Sequence, residues 1–366
     1  MADLNRSSFQ PNYAVPPGET LGETLDYLGM TQAELAERTG RPKKTINEII
    51  SGKAAITAET ALQLERVLGI PASFWNNLER NYRETLAQLK EEEHLLAHKE
   101  WLKNFKITTL IKLGWLPKEG SPVRQLRTIL NFFGVAGIKK WESLWQSPAA
   151  TYRTSTAFQK NPYMVAAWLR KGEIEAQKIE CNPYNAILFQ GSLKKIRSLT
   201  LEPPQVFEPR MKQLCAEAGV AIVFVPDISG TRVYGATRWL NSNKSLIQLS
   251  LRGKTDDHLW FTFFHEAGHI LLHGKRDVFI EAIDEDRRGM MNIDKEKEAD
   301  SFAQDFLISP NEYRAFRQKG QFSGSAICQF AQRIGIVPGI VVGRLQHDKV
   351  IPFSQRNNLK KRFHFS

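Results

Sequence analysis

The chain of 366 residues is long enough for two or three domains of ordinary size. Hydrophobic residues make up 42% of it and charged residues 24%, which is normal for a soluble globular protein. No run approaches the roughly 18 consecutive apolar residues of a membrane span, and the N-terminus lacks the apolar region of a secretion signal. The three cysteines are scattered, which argues against a disulfide framework and against a paired-cysteine metal site. We therefore expect a cytoplasmic protein without membrane contact.

The net charge of +11 is unevenly distributed along the chain. Residues 1–90 carry −1, residues 91–210 carry +7, residues 211–343 carry 0 and residues 344–366 carry +5. Basic proteins favour polyanionic partners because binding releases counterions. The excess lies outside the segment that we predict below to bind DNA, so the charge supports DNA binding only weakly. For the basic tail at 360–362, a DNA contact and a solvated end both stay open, and a solvated end is the simpler expectation.

Residues 1–19, rich in Pro, Ser and Asn, are predicted to form an N-terminal arm. Short helices are predicted to follow at 20–28, 31–38, 42–50, 57–68 and from 71 onward. Each begins with a Thr or Pro, residues that suit the first positions of a helix. Glycines that suit helix ends follow the first four helices: Gly29, Gly40, Gly52 and Gly69. The pattern predicts a compact all-α domain over residues 20–85.

Residues 86–204 are basic and aromatic and are predicted to form a mostly helical linker or middle region. Five tryptophans in it are more simply explained as buried packing residues than as a ligand surface. They are Trp101, Trp115, Trp141, Trp145 and Trp168. The pair Pro203 and Pro204 marks the predicted end of this region.

The C-terminal domain is predicted over residues 205–366, with the basic tail at its end. A helix at 209–218 is followed by runs of β-branched or alternating residues at 220–225, 232–240 and 245–251, and then by a helix at 257–273. This order of helix, sheet and helix predicts an α+β fold.

Residues 31–36, a turn at Gly40 and a helix over 42–50 have the spacing of a helix-turn-helix. Ala36 is small enough for the two helices to cross closely. Apolar residues are predicted to bury together: Leu35, Ile46 and Ile49 against Leu25, Leu28, Leu62 and Leu64. Polar residues then remain on the exposed face of the second helix, where they could contact bases and phosphates in the major groove: Lys43, Lys44, Thr45, Asn47 and Glu48. Residues at the flanks could hold phosphates: Gln32, Arg41 and Lys53.

This pattern resembles the Xre/Cro-repressor family, and in particular its HigA-antitoxin-like branch, over residues 17–85. The segment 70–78 also has a counterpart in that branch. The resemblance implies binding to double-stranded operator DNA. We also expect a homodimer, because a single short recognition helix reads few base pairs. A helical bundle that uses this fold only to bind a protein is the alternative.

His265 and His269 are four residues apart on a predicted helix, so both imidazoles project from one face and could share a Zn²⁺ ion. Glu266 lies beside them, where a carboxylate could act as general base and then as general acid. The apolar flanks at 260–264 and 270–272 predict a buried helix, in which two histidines and a glutamate would be costly without a role. A chance match to so short a motif is the alternative.

A second predicted helix, at 296–307, offers a third ligand. Glu296 and Asp300 lie on one edge of its apolar stripe, so Glu296 could bind zinc while Asp300 holds a ligand histidine in one tautomer. Glu298 is the second choice of ligand, and a solvated acidic turn is the other interpretation. His273 is rejected as a ligand because eight residues of helix span about 12 Å, and it is expected to be a satisfied or surface histidine.

The motif at 265–269, the acidic helix with Glu296 and Asp300, and the segment 307–310 together resemble the ImmA/IrrE family of metallo-endopeptidases. The resemblance extends over residues 163–365 and includes the segments 167–173 and 338–347. Ser309 departs from the apolar residue usual before Pro310, without an expected catalytic consequence. The resemblance implies a zincin-like, gluzincin-type domain that cleaves a regulatory protein, and some members accompany toxin–antitoxin loci.

Three functional interpretations stay open. The protein could be a DNA-binding repressor or antitoxin that also cleaves a protein substrate, with Zn²⁺ and Glu266 activating water. The zinc domain could instead be a sensor or scaffold without turnover, or the protein could chiefly neutralise a cognate toxin by binding it. In the first case the strand at 245–251 could pair with an extended substrate. Three residues are chemically able to stabilise the oxyanion, and the sequence selects none of them: Tyr313, Arg344 and His347.

Overall fold

The computed structural model describes residues 13–145, 161–250, 255–274, 279–282 and 293–363. Within the chain two compact units are present. The first comprises Met1–Trp101 with Gly120–Arg127, and the second comprises Leu102–Glu119 with Thr128–Ser366. Most of the predicted N-terminal arm lies outside the described residues.

The first unit contains the five helices predicted after the arm. They are α1 (Pro17–Leu28), α2 (Gln32–Thr39), α3 (Lys43–Ile50), α4 (Ala58–Leu68) and α5 (Ala72–Ala97). The hydroxyls of Thr31 and Thr57 accept backbone N–H bonds at the starts of α2 and α4, as the sequence predicts. Left-handed glycines end α1, α2 and α4. Helix α1 begins at Pro17, inside the segment that the sequence assigns to the arm.

The core of this unit largely follows the predicted apolar pattern. Leu35, Ile46 and Ile49 are buried together with Leu25 and Leu64. The burial predicted for Leu28 and Leu62 is wrong, since their side chains are 46% and 49% exposed. Leu62 lies two residues, or about 200°, from Leu64 around α4, which turns it towards solvent.

Helix α5 is a single helix of 26 residues, so the domain limit predicted at residue 85 falls inside it. A 3₁₀ turn at Lys99–Asn104 and the helices α6 (Ile107–Lys112), α7 (Pro122–Phe133) and α8 (Ile138–Trp145) follow. The described part of the middle region is helical, as predicted. Four of its five tryptophans are buried, and Trp115 is half-buried.

The second unit contains a four-stranded sheet. Helices α9 (Pro162–Gln177), α10 (Ala186–Ser198) and α11 (Pro204–Glu217) precede its strands β1 (Val220–Val225), β2 (Val233–Asn241) and β3 (Lys244–Ser250), and β4 (Phe279–Ala282) comes later in the chain. The strand order is β1-β3-β2-β4, with β1 and β3 parallel and the other pairs antiparallel. Both α9 and α11 pack on β1. The domain limit predicted at residue 204 therefore separates α9 from the sheet on which it packs.

Strand β3 lies inside the sheet, hydrogen-bonded to β1 on one side and to β2 on the other. The prediction that an extended substrate pairs with the strand at 245–251 is therefore wrong, because the backbone groups of β3 are already used in the sheet. Strand β4 occupies one edge of the sheet and has no counterpart among the predicted strands.

Helix α12 (Asp256–Leu272) packs against β2 and β3 on one side and against α13 (Ile293–Leu307) and α16 (Pro338–His347) on the others. Helices α14 (Pro310–Gln318) and α15 (Gly324–Ile334) connect α13 to α16, and a 3₁₀ turn at Asn357–Leu359 comes near the end. Among the described residues no single helix is long and apolar enough to cross a membrane; α15 and α16 meet that test only as a pair bent by 113°.

The basic tail folds back onto the start of α12. The Lys360 ammonium lies 2.6 Å from the Asp257 carboxylate, and the Asp256 amide donates to the Lys361 carbonyl. Phe363 is buried against Phe207, with ring centroids 5.3 Å apart. The expectation of a solvated end is therefore wrong for Lys360, which a mostly buried ion pair holds in place, whereas the side chains of Lys361 and Arg362 are exposed.

Candidate functional site

The helix-turn-helix is formed by α2, the turn at Gly40 and α3. Lys43, Lys44 and Asn47 are exposed on α3, and Thr45 is half-buried. Ile46 and Ile49 on the opposite face are buried, so the polar face of α3 is directed away from the core. The Asn47 side chain donates to the Gln32 Oε1 atom at 3.4 Å, which connects the start of α2 to the face of α3.

Two flanking residues differ in their environment. Lys53 is exposed, as a phosphate contact requires. The Arg41 guanidinium is only 20% exposed and already has partners on α4: its Nε donates to Gln63 at 2.5 Å, and its Nη2 lies 3.4 Å from the Glu59 carboxylate. These contacts give Arg41 a role in holding α4 to the turn, and its phosphate contact stays a prediction.

A cluster of ionisable side chains lies between α12 and α13 in the second unit. His265 and His269 are one turn apart on α12, and Glu296 faces them from the first turn of α13. Gly268 permits the close approach of the two helices, since a Cβ there would lie 3.3 Å from the Ala299 Cα. Both histidines are 2% exposed, so the cluster is removed from bulk water.

The ligand atoms of this cluster have the spacing that one zinc ion needs. The Nε2 atoms of His265 and His269 are 3.0 Å apart, and they lie 3.2 and 3.6 Å from the two Glu296 carboxylate oxygens. A tetrahedral Zn²⁺ with bonds of 2.0–2.1 Å separates its ligand atoms by about 3.3 Å. Two imidazoles and a carboxylate are also a donor set that zinc prefers. The residues present therefore fit this metal.

The electrostatics of the cluster also suit a cation. Burial lowers the pKa of His269 to about 4, so its imidazole is neutral at pH 7 and can offer a lone pair. Burial alone would raise the pKa of Glu296, but hydrogen bonds with His265 and His269 hold it well below its usual value. The centre thus carries an ionised Glu296 and a neutral His269, the protonation states that metal binding requires of these two groups.

Each histidine has a further partner on the side away from Glu296. The His265 Nδ1 atom lies 3.0 Å from the Asp300 Oδ1 atom, so Asp300 stands where the sequence predicts it. The His269 Nδ1 atom lies 2.9 Å from the His273 Nδ1 atom, and the His273 Nε2 atom lies 3.0 Å from Glu298. His273 is not in the three-residue ligand group, as expected, and its side chain is 3% exposed. The contact of His273 with His269 is not among the predictions, although a spacing of four residues on a helix favours it.

Glu266 is completely buried and lies between α12 and β2. The Thr237 hydroxyl donates to its backbone carbonyl at 3.1 Å, which ties β2 to the helix. A Cβ at Gly235 would lie 2.6 Å from the Glu266 Oε1 atom, so only glycine leaves room for this carboxylate. Gly235 is not among the predicted site residues, although a glycine inside a strand is a signal of such a close approach.

The three residues considered for oxyanion stabilisation share one carboxylate, that of Asp348. The Tyr313 hydroxyl donates to it at 2.8 Å, the Arg344 Nε at 3.0 Å, and the His347 Nδ1 lies 3.0 Å away. Burial and this carboxylate raise the pKa of Tyr313 well above its usual value. The three side chains therefore lie in one cluster around Asp348, and the choice among them as the oxyanion-stabilising residue stays open.

The helix-turn-helix geometry of the first unit defines the class of the protein, and comparison with known proteins agrees. The family model described as helix-turn-helix matches residues 27–75. A helix-turn-helix transcriptional regulator of Escherichia coli is 35% identical over 63 residues, which are 17% of this chain and 67% of that protein. The virulence-associated protein I of Dichelobacter nodosus is 37% identical over 76 residues, which are 20% of this chain and 70% of that protein. This chain belongs to the helix-turn-helix family.

Solved structures similar to the chain include two antitoxin proteins. An addiction module antidote protein of the HigA family from Coxiella burnetii is 33% identical, with a TM-score of 0.22, over 23% of this chain and 92% of that one. The Pseudomonas aeruginosa antitoxin HigA, solved with the higBA promoter, is 29% identical, with a TM-score of 0.22, over 22% of this chain and 90% of that one.

Proposed function

We propose that this protein is a DNA-binding transcriptional regulator of the antitoxin type that also carries a zinc-dependent endopeptidase domain similar to the ImmA/IrrE family. One observation carries the enzymatic part: the ligand atoms of His265, His269 and Glu296 lie 3.0–3.6 Å apart, and Glu266 follows His265 in the same buried helix. The match of the first unit to the helix-turn-helix family supports the DNA-binding part.

In the DNA complex, α3 would enter the major groove with its exposed face. Asn47 is suited to bidentate contact with adenine, while Lys43 and Lys44 neutralise phosphates or contact guanine. The hydrogen bond between Asn47 and Gln32 orients the amide before DNA arrives. We propose a homodimer on a two-fold symmetric operator, since two recognition helices one DNA turn apart double the number of base pairs read.

In the endopeptidase domain, His265, His269 and Glu296 would hold Zn²⁺. When bound, the ion supplies a lowered pKa for water and polarisation of the scissile carbonyl. The Glu266 carboxylate takes a proton from the attacking water and returns it to the leaving nitrogen. Asp300 accepts a hydrogen bond from His265 Nδ1, so the Nε2 lone pair is directed to the centre.

A cavity whose lining includes Phe261, one helical turn from His265, offers room for a substrate side chain. It has a volume of about 260 Å³ and is lined by residues of α12, α13, α16 and β2. Phe261, on its wall, is one helical turn before His265, and their ring centroids are 6.1 Å apart. The substrate that we propose is a regulatory protein whose apolar side chain enters this cavity.

A second candidate is a regulator whose zinc domain senses a signal or binds a toxin without turnover. The complete burial of Glu266 favours it, because a general base must meet the water that it deprotonates. In this case zinc binding is retained and no peptide bond is cleaved.

Elemental analysis of the purified full chain tests the centre. We expect about one zinc ion per chain, its loss in Glu296→Ala and its retention in Asp305→Ala, which removes an exposed carboxylate from the same helix. Glu266→Gln should keep the zinc and stop cleavage of the repressor or toxin identified by pull-down and mass spectrometry. Absence of zinc from folded wild-type protein would contradict the enzymatic proposal and leave the DNA-binding one.

A further inference from the structure

Three hydrogen-bonded side chains, those of His269, His273 and Glu298, connect the proposed zinc centre to the protein surface. His269 Nδ1 is 2.9 Å from His273 Nδ1, and His273 Nε2 is 3.0 Å from Glu298 Oε2. The His273 side chain is 3% exposed and that of Glu298 is 62% exposed. We propose that His273 and Glu298 are positioning residues that fix the tautomer of His269, as Asp300 does directly for His265. The proposal rests on the proposed zinc centre.

The direction of the hydrogen bonds among these three side chains follows from the atoms that face each other. His269 Nε2 points at Glu296 and His265, so a metal there needs its lone pair, and the proton of His269 must be on Nδ1. That N–H can donate to His273 only if His273 Nδ1 has no proton. The proton of His273 is then on Nε2, where it donates to the Glu298 carboxylate. One arrangement of protons satisfies all three contacts.

The backbone holds this arrangement in place. His273 is the residue at which α12 ends, and its amide donates to the His269 carbonyl at 3.1 Å. Its imidazole is therefore brought back over the last turn, against His269, with ring centroids 5.0 Å apart. His273, four residues after His269, thus contacts this ligand on the side away from the metal. It is too far along the helix from His265 to bind the same ion.

Loss of His273 and loss of Glu298 should have different effects on zinc affinity. His273 is buried, so its loss leaves the His269 N–H without its acceptor in a site that water enters poorly. Glu298 is mostly exposed, and water can replace its carboxylate as acceptor for His273. We expect His273→Leu to weaken zinc binding by about 10–100-fold and Glu298→Ala by much less.

Competition with a chromophoric zinc chelator measures these affinities on the full chain. His273→Asn should restore most of the affinity lost in His273→Leu, because its Oδ1 can accept from His269 as Nδ1 does. Adding Glu298→Ala to His273→Leu should have no further effect, since the carboxylate acts through His273. Asp305→Ala is the control on α13. Equal affinity of His273→Leu and wild type, with both folded, would overturn the proposal.

The metal-free protein gives an independent readout. In ¹⁵N-labelled protein treated with a chelator, the fraction of His269 in the Nδ1–H tautomer should be larger in wild type than in His273→Leu, because only the wild type has the Nδ1 acceptor of His273. An unchanged tautomer population would overturn the positioning role of His273, whether or not the wild type binds zinc. If the wild type binds no zinc but the tautomer population of His269 differs between the two proteins, the proposed function fails and the positioning role of His273 is retained.

Discussion

Gly235 on β2 and Glu266 on α12 are in direct contact, and the contact depends on the missing side chain of the glycine. A Cβ at position 235 would lie 2.6 Å from Glu266 Oε1 and 2.7 Å from the Thr262 Cγ2 atom. The sheet therefore approaches the helix at the point where the proposed general base lies. Because the carboxylate is completely buried there, the position of β2 determines where it can point.

Gly235→Ala should force Glu266 and β2 apart. We expect the free energy of unfolding to fall by about 1–3 kcal/mol, the usual cost of overpacking, while zinc content stays unchanged because the proposed metal ligands lie elsewhere. Thermal unfolding and elemental analysis measure both quantities. Gly274→Ala is the matched control, since a Cβ there meets nothing within 4 Å. Equal stability of the two variants would show that Glu266 is not held against β2.

Lys43→Ala with Lys44→Ala should abolish specific operator binding and leave zinc content unchanged. Both side chains are exposed on α3, so their removal takes away phosphate or base contacts without disturbing the core. Footprinting on DNA upstream of the gene at fixed salt measures this. Lys90→Ala, an exposed lysine on α5, is the control. An unchanged footprint would reject α3 as the recognition helix.

Asn47→Ala should reduce the discrimination between bases more than the affinity for DNA in general. A bidentate contact of this kind contributes about 1–3 kcal/mol of discrimination against the wrong base. Binding to the operator and to a scrambled sequence, measured in parallel, gives the ratio. If both affinities fall equally, Asn47 contacts the DNA backbone or maintains the fold through Gln32.

Arg197→Ala should destabilise the second unit. The half-buried Arg197 guanidinium donates to the carbonyls of Phe306, Leu307 and Ile334 at 2.8–3.0 Å, and so satisfies the end of α13, the helix that carries Glu296. Bonds from a charged donor contribute about 1.5–3 kcal/mol, so a loss of that order in the free energy of unfolding is expected. Urea unfolding beside Lys195→Ala, an exposed neighbour, tests it. Similar midpoints would contradict this capping role.

Asp256→Asn should remove a pH dependence of stability. Burial raises the pKa of Asp256 from 3.8 to about 6, so between these values the folded chain holds a proton that the unfolded chain has released. Stability from this group is therefore greatest below about pH 4 and falls as the pH rises to about 6. Relative to wild type, Asp256→Asn should gain about 3 kcal/mol between pH 4 and pH 7.

Urea unfolding of both proteins across this pH range, with a chelator present to exclude metal binding, measures the difference. Asp294→Asn is the control, because its carboxylate is 96% exposed. A constant difference between wild type and Asp256→Asn would show that Asp256 titrates normally in the folded chain.

The sequence by itself determined the features that depend on neighbouring residues. Thr31 and Thr57 cap their helices, and glycines end them, because capping joins atoms three or four residues apart. His265 and His269 share one face of α12 for the same reason, since the helical repeat places residues four apart side by side. The helix-turn-helix and the pair of histidines were therefore predictable.

Tertiary structure decided the features that join distant parts of the chain. Strand β3 lies between β1 and β2, so it has no open edge for a substrate, and an alternating pattern does not encode strand order. Glu298 reaches the centre through His273, and Gly235 meets Glu266 from another strand. Lys360 forms a mostly buried ion pair with Asp257. Apart from the β2–β3 hairpin, each of these contacts joins residues more than 20 positions apart. Packing of the apolar faces, rather than local helical geometry, selects such pairs.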